Sequence, residues 1–443
     1  MKAFIYPSLA TLSIWITAAH FLRQGDFWLF LTLFAFSISI WFRHAWTRPV
    51  LFAALLGAVL LWTKVSILLV SMRIATGGDW VRLGIILGAV IGVCSISALL
   101  TFLFSGTASG KEWFIHSPKK ASLQASVFLL SAGALLLTKA KTPFAVVLAD
   151  RFIPGSGIFE IFILALYGVY VAGKMYSPAG ARKTRPLIWG LFSAVFFSQL
   201  FLGLSGIDQM LMTGKLHLPI PALIIGGPLY RGEGFFMPIL FLTTVLLVGP
   251  AWCSHLCYIG AWDDKMSRLA SARKPLSQSV MWKMRLGLLI LVIFCALGLR
   301  ALSLPISFAL TGAIFFGCVG LMVMFFISRK MGVMTHCTGF CPMGIVANIL
   351  GKLSPWRLSI RKDIEEQKLN AAQKVCRYSA LTENAIAIGK PAHSCTLCLD
   401  CLSACRKGDI ELTLAGKHSQ HTRIIYITLV VSLHVLFLGV ARM

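Results

Sequence analysis

The chain has 443 residues, of which 57% are hydrophobic and 13% are charged, and its mean hydropathy is +0.81. This composition excludes a soluble globular protein, because long uncharged apolar stretches are typical of membrane-spanning helices. The 41 Lys and Arg against 16 Asp and Glu give a formal net charge of +25. In so apolar a chain the excess indicates basic cytoplasmic loops, and we expect no nucleic-acid partner.

Long apolar segments predict an all-α polytopic membrane protein with about eleven transmembrane helices. The first segment has the apolar core of a signal sequence, but no small-residue cleavage site follows it, so we expect a helix there. In chain order the predicted spans are 3–22, 27–42, 50–71, 83–104, 122–138, 157–173, 186–205, 234–252, 286–304, 306–328 and 424–441.

Basic residues alternate between rich and poor loops, and this pattern predicts the orientation. Loops rich in Lys and Arg are typical of the cytoplasmic side. We therefore expect a multi-pass protein of a bacterial inner membrane, with the N-terminus inside and the C-terminus outside. The rich loops hold Arg43 and Arg48; Lys111, Lys119 and Lys120; Lys174, Arg182, Lys183 and Arg185; and Lys265, Arg268, Arg273 and Lys274.

Four regions follow from the distribution of apolar segments and cysteines. Residues 1–230 form an N-terminal block of membrane helices, and 231–354 form a membrane core that carries two C-x3-C segments. Residues 355–417 are polar and too few to build a large core, so we expect a metal to stabilise them. Residues 418–443 hold a closing transmembrane helix.

A run of four cysteines in the polar region has the C-x2-C-x2-C-x3-C spacing of bacterial ferredoxins: Cys395, Cys398, Cys401 and Cys405. In such runs the fourth cysteine ligates a different cluster from the first three. Cys376, which 18 intervening residues separate from the run, stands where a preceding motif would end, but the other three positions of that motif hold Glu366, Leu369 and Ala372. We therefore expect one 4Fe–4S cluster on Cys376, Cys395, Cys398 and Cys401, in a small α+β ferredoxin-like domain.

Two alternatives to this cluster remain open from the sequence. Four thiolates could hold a tetrahedral zinc ion. The second alternative is a decayed domain that binds no metal. An exposed run of four cysteines without a metal would be prone to oxidation, which disfavours this alternative. Cys405 has no partner within the predicted cluster, and it is followed by Arg406 where ferredoxins usually have proline.

Two further cysteine pairs, Cys253/Cys257 and Cys337/Cys341, each follow the cytoplasmic end of a predicted span. If these stretches are helical, positions i and i+4 place both thiols on one face. Facing pairs would form a second site that could hold a second cluster, another metal or a redox-active dithiol. We include Cys405 with these four cysteines as a candidate ligand of that site. His255 and His336 are possible alternative ligands, although solvated loop histidines are the simpler interpretation. All nine of these loop cysteines would lie in a reducing compartment, which favours metal ligation over disulfides.

The cysteine segments 252–261 and 337–344, followed by the segment 376–405, resemble the NapH/NosR-type membrane-bound polyferredoxins and their CcoG-like relatives. The resemblance covers roughly 234–414 and departs at Tyr258, where the family motif has proline. It implies electron transfer between the quinone pool and a redox protein partner, as in the membrane electron-transfer component of a quinol dehydrogenase. The alternative is an assembly or regulatory protein that uses its cysteines and a cluster to reduce, sense or deliver a metal.

Overall fold

The computed structural model of the protein describes every residue except 1, 43, 104–117, 212–217, 276, 362–363, 407, 420 and 441–443, and the side chains of 2–5 and 366 are not described either. Arg43 and Lys111, which contribute to the predicted orientation, therefore lie outside the described residues. The chain forms two compact units, Met1–Gly173 and Lys174–Met443. The boundaries proposed from the sequence at 230, 354 and 417 stay predictions.

The first unit consists of helices with an apolar core. Ala10, Ile14, Leu51 and Leu55 are almost completely buried in that core. Its helices are α1 (Lys2–Arg23), α2 (Phe27–Trp41), α3 (Thr47–Ala75), α4 (Val81–Leu103), α5 (Pro118–Lys141), α6 (Leu148–Phe152) and α7 (Gly157–Met175), the last of which ends just past the boundary.

The second unit contains the remaining helices and the only β-sheet among the described residues. Its helices are α8 (Pro178–Leu204), α9 (Leu223–Arg231), α10 (Phe236–Val248), α11 (Gly260–Ser267), α12 (Gln278–Ala301), α13 (Ile306–Met322), α14 (Arg329–Met331), α15 (Pro342–Leu350), α16 (Glu366–Val375), α17 (Glu383–Ile388) and α18 (Thr422–Val440). Two strands, β1 (Trp356–Ile360) and β2 (Ile410–Leu414), pair antiparallel with Leu358 opposite Leu412.

Nine helical segments in the described ranges are long and apolar enough to cross a membrane, which is consistent with a multi-pass membrane protein. They correspond to nine of the predicted spans. The other two predicted spans are the helices α1 and α2, and α2 has only 15 residues. The count of eleven spans and the side on which the loops lie therefore stay predictions.

The apolar stretch that precedes α10 differs from the irregular loop that its Pro and Gly content predicts. Residues Leu223–Arg231 form α9, with Pro228 inside the helix, and Gly232 ends it at a φ of +76°. A left-handed residue after the last turn is a common helix stop, and glycine adopts it without a steric penalty. Tyr230 then donates a hydrogen bond from its hydroxyl to the Leu304 carbonyl at 2.9 Å, which fixes α9 beside the loop after α12.

The small polar region closes over the end of the helices that carries the cysteine pairs. Trp356 on β1 is 2% exposed and donates its indole N–H to the Leu247 carbonyl of α10 at 2.8 Å. Tyr426 on α18 packs edge-on against the Trp356 ring, with centroids 5.0 Å apart. The sheet is thus attached to two apolar helices, and the residues between its strands are held at the same end of the second unit.

Candidate iron–sulfur centre

Both C-x3-C pairs adopt the same local fold. The first cysteine lies in a short π-helix, Trp252–Leu256 or His336–Phe340, and the second follows in an extended conformation. Cys257 donates its N–H to the Trp252 carbonyl at 3.0 Å, and Cys341 does the same to the carbonyl of His336 at 2.7 Å. A helix, α11 or α15, begins within three residues of each second cysteine. The stretches are helical as the sequence predicts, but wider than an α-helix, and π-helical turns are frequent at functional sites.

The two pairs face each other, so that four thiols share one site. Cys337 lies close enough to interact electrostatically with Cys253, Cys257 and Cys341. Burial, together with the Cys341 thiol, raises the pKa of Cys257 to about 12. Such thiols bind a metal only as thiolates, so ligation must release their protons.

The start of a helix stabilises the second thiol of each pair. The sulfur of Cys257 accepts backbone N–H groups of Ile259 and Gly260, and these donors lower its pKa against the effect of burial. The sulfur of Cys341 accepts the equivalent groups of Met343 and Gly344 at the start of α15. Free N–H groups and the helix dipole at such a position favour a negatively charged sulfur.

A buried arginine supplies positive charge to the same site. Arg285 on α12 is 2% exposed and interacts with Cys253, Cys337 and Cys341. A Cβ atom on Gly344 would come within 3.2 Å of its guanidinium, so the glycine leaves room for the arginine to reach the thiols. The sequence assigned Arg285 no role, because it stands just before the predicted span 286–304.

Asp263 connects the two pairs. Its carboxylate accepts the backbone N–H of Cys337 at 2.9 Å, while its own helix, α11, follows Cys257. The residue is fully buried, and burial raises the pKa of its carboxyl to about 6. The first cysteine segment therefore fixes the position of the second directly.

The four cysteines predicted to hold a cluster in the polar region line one apolar pocket: Cys376, Cys395, Cys398 and Cys401. Leu397 and Leu399, on either side of Cys398, have φ values of +53° and +63°. Non-glycine residues rarely adopt this left-handed conformation, and such strain concentrates at functional sites. Burial raises the pKa of the Cys395 thiol to about 12.

Cys405 lies apart from this pocket. Its sulfur faces the Lys368 carbonyl at 3.9 Å, on the side of α16. That helix also carries positions 366, 369 and 372, where a second ferredoxin motif would need cysteines, and Ala372 is fully buried. Cys405 packs against the apolar cluster that contains Cys376 and Cys401 but does not line their pocket, so its assignment to a second site stays a prediction.

Hydrogen bonds connect the two cysteine sets directly. Tyr378, which lines the pocket of the polar region, donates its hydroxyl to the Cys253 carbonyl at 3.0 Å. Ser254, between the cysteines of the first pair, donates to the Thr396 carbonyl at 3.1 Å. Cys337 also packs against the apolar cluster that contains Cys376 and Cys401. The two sets are therefore neighbours, separated by Tyr378 and by the backbone of residues 253–254.

Arg185 lies at the centre of a buried ion network at the same junction. Its guanidinium contacts Asp400 of the cysteine run at 2.6 Å and Asp264 of α11 at 3.3 Å. It also donates to the Ser254 carbonyl at 3.2 Å. The sequence analysis placed Arg185 in a loop, and this was wrong, because the residue lies inside α8 and is 1% exposed. The side of the membrane on which it lies stays a prediction.

Both histidines beside the pairs are buried, so their interpretation as solvated loop residues was wrong. His255 is 2% exposed, and its Nδ1 is 2.9 Å from the Ser254 hydroxyl. His434 of α18 lies against the His255 backbone. His336 is 6% exposed and lies under α13, where a Cβ on Gly320 would come within 2.9 Å of its ring.

The donor chemistry of both sets fits an iron–sulfur cluster. All-thiolate sites favour iron–sulfur clusters or zinc. Within the described residues, no group of three or more His, Cys, Asp or Glu side chains is arranged to hold a single metal ion. Cys376, Cys395, Cys398 and Cys401 would hold one cluster, and Cys253, Cys257, Cys337 and Cys341 would hold the other.

Comparison with known protein families finds a match over the segment that holds the first cysteine pair. Residues 232–277, which include Cys253 and Cys257, match the Fer4_5 family, a 4Fe-4S binding domain. No curated protein and no solved structure matches the chain. The matched segment falls on the pair at the end of α10, which the sequence had left open, rather than on the ferredoxin-type run. This chain contains a 4Fe–4S binding domain within a membrane-like helical protein.

Proposed function

We propose that this protein is a membrane-integral iron–sulfur electron carrier that passes electrons between the quinone pool and a redox protein partner on the cytoplasmic side. The observation that carries the proposal is the hydrogen bond from Tyr378 to Cys253, since it joins two all-cysteine sites. A protein that only stores or delivers a metal would not need a second all-cysteine site joined to the first by a hydrogen bond.

Each site is built to hold negative charge in a dry environment. A 4Fe–4S cluster supplies one-electron transfer at a potential set by nearby charges, hydrogen bonds to sulfur and solvent exposure. At the site of Cys253, Cys257, Cys337 and Cys341, called here the membrane-edge site, Arg285 supplies the positive charge. Backbone N–H groups at the starts of α11 and α15 supply hydrogen bonds there. Apolar side chains such as Leu358 and Leu381 exclude water from the pocket of Cys376.

The order of the two sites follows from their positions along the chain. Cys253 lies in the last turn of the apolar segment Phe236–Leu256 and Cys257 directly follows it, while Cys337 and Cys341 come within ten residues after the segment Ile306–Met331. The other set lies in the polar region between β1 and β2. Electrons from a lipid-soluble donor would therefore reach the membrane-edge site first and the polar region second.

Replacing Cys253 and Cys337 with Ser should stop reduction of the cluster on Cys376, Cys395, Cys398 and Cys401 by a quinol analogue. Dithionite, a small soluble reductant, should still reduce that cluster, because its own ligands are intact. The measurement is anaerobic stopped-flow bleaching of the cluster absorbance, with cluster identity checked by EPR. Reduction by quinol at the wild-type rate would show that the membrane-edge cysteines are not on the path.

The same experiment distinguishes the proposed electron carrier from an assembly or regulatory protein. A carrier must be reduced by quinol and reoxidised by an acceptor repeatedly without losing iron. If wild-type protein is inert towards quinol analogues but transfers iron or another metal to an acceptor protein, the alternative function replaces the proposed one.

A further inference from the structure

An apolar cavity of about 240 Å³ lies beside the membrane-edge site. Its wall includes Cys341 and His336, the helix α13, and the segment Pro219–Ala222. An engineered cavity of about 150 Å³ in another protein takes up benzene, so this volume has room for one substituted ring. No residue of the cavity except Cys341 belongs to the proposed ligand sets.

Two glycines on α13 give the cavity its shape. A Cβ atom on Gly317 would come within 2.9 Å of the Ile220 side chain, and one on Gly320 would come within 2.9 Å of the His336 ring. The missing side chains let the loop before α9 and the segment of His336 approach the same helix. The cavity remains between these contacts.

His336 is the polar group of this cavity, and it lacks a partner. Neither ring nitrogen has a partner within hydrogen-bonding geometry in the described part of the structure, although the Gly320 backbone lies beside Nδ1 and interacts with it. The ring is 6% exposed and packs against Phe340, with centroids 5.3 Å apart. A buried polar group without a partner is costly and rare, and a ligand is one of the few explanations for it.

The rim of the cavity is apolar and open. Trp262 and Leu321 are each 37% exposed and Ile314 is 46% exposed, although all three line the cavity. On the outer face of α13, Phe315 is 70% exposed. Surfaces of this kind face lipid in a membrane protein, so a molecule dissolved in the bilayer can reach the cavity without crossing water.

We propose that this cavity binds the ring of a lipid-soluble quinone, with His336 donating a hydrogen bond to a ring carbonyl. A lipid acyl chain would fill the apolar space but leave the imidazole unpaired. A quinone ring would fill the same space, and its carbonyl would accept a hydrogen bond from the imidazole. The assignment rests on the proposed function, because the ring would lie against Cys341 and so beside the first cluster. His336 acts here as a binding residue, and no change in its protonation is required.

The test is binding of a photoreactive quinone analogue to the purified full chain in lipid nanodiscs. His336→Leu should weaken binding about tenfold, the value of one lost hydrogen bond, while His336→Gln retains a donor and should bind within a few-fold of wild type. Ile220→Trp should abolish binding by filling the cavity. The matched control is Ile290→Trp, at a residue on α12 that is 55% exposed and does not line the cavity, and it should bind normally.

Iron content and the EPR spectrum of each variant establish that the neighbouring cysteines still hold their group. Should His336→Leu fail this check, photolabelling of wild-type protein decides: labels within 314–321 or 219–222 support the site, and labels elsewhere overturn it. Wild-type affinity in an intact His336→Leu variant, with binding lost in Ile220→Trp, would mean a site for an apolar chain and would also overturn it.

The two proposals fail in different ways. If the analogue binds elsewhere and quinol still reduces the clusters, the cavity assignment is wrong and the electron carrier stands. If the analogue binds in the cavity as expected but no quinol reduces the clusters, the electron-carrier function is wrong and the binding site stands.

Discussion

Arg185→Met should destabilise the second unit by about 3–5 kcal/mol, the cost of leaving buried charges without their partner. Asp264 and Asp400 are 2% and 3% exposed, and the only other cation within 4 Å among the described residues is Arg268. Loss of Arg185 also removes the donor to the Ser254 carbonyl, which joins α8 to the first cysteine pair. Thermal unfolding in detergent, with iron content as a second readout, measures the effect.

Arg268→Met is the matched control. Arg268 contacts the same two carboxylates, but its side chain is 32% exposed, so solvent screens its charge and the expected cost is below about 1 kcal/mol. The double variant Arg185→Met/Asp400→Asn should recover part of the loss because it removes one unpaired charge. Equal destabilisation by Arg185→Met and Arg268→Met would show that burial of the network is not what matters.

Arg285→Met should lower the reduction potential of the cluster on Cys253, Cys257, Cys337 and Cys341 by on the order of 100 mV. Reduction adds a negative charge, and a unit positive charge a few ångströms away contributes on the order of 2–3 kcal/mol at an effective dielectric constant near 20. About 59 mV corresponds to a tenfold change in a one-electron equilibrium. Redox titration followed by EPR measures both potentials in the same sample.

Arg285→Lys and the second cluster serve as controls for this prediction. Lysine keeps the charge, so the potential should stay near the wild-type value even if the planar guanidinium is lost. The potential of the cluster on Cys376, Cys395, Cys398 and Cys401 should change much less, because Arg285 interacts with the cysteines of the other set. A shift of equal size in both clusters, or none in either, would contradict the assigned position of the charge.

The sequence predicted the helical architecture and the grouping of the cysteines because both leave local signals. Apolar runs reveal spans, and fixed cysteine spacings reveal ligands, so Cys376 and Cys395 were assigned to one set although 18 residues separate them. Their shared pocket is the geometry that this grouping requires. Whether a cluster occupies it stays a prediction.

The residues that support the site could not be found in this way. Arg185 contacts Asp400 across 215 positions of the chain, and Tyr378 contacts Cys253 across 125. No periodicity or spacing marks such pairs. The rule that basic residues mark cytoplasmic loops even pointed away from Arg185, because α8 is 27 residues long and its first turns extend beyond the apolar part. His336 looked like a loop residue because its burial depends on α13 packing over it, and the sequence around His336 carries no sign of that contact.

The most direct test of a two-cluster carrier is the iron and acid-labile sulfide content of anaerobically purified protein, read together with its EPR spectrum. We expect about eight iron and eight sulfide per chain, four for each cubane cluster. Cys376→Ala should lose or convert one cluster, whereas Cys405→Ala should keep both, because Cys405 lies outside the pocket. Zinc without sulfide, or equal iron loss in Cys376→Ala and Cys405→Ala, would contradict the account.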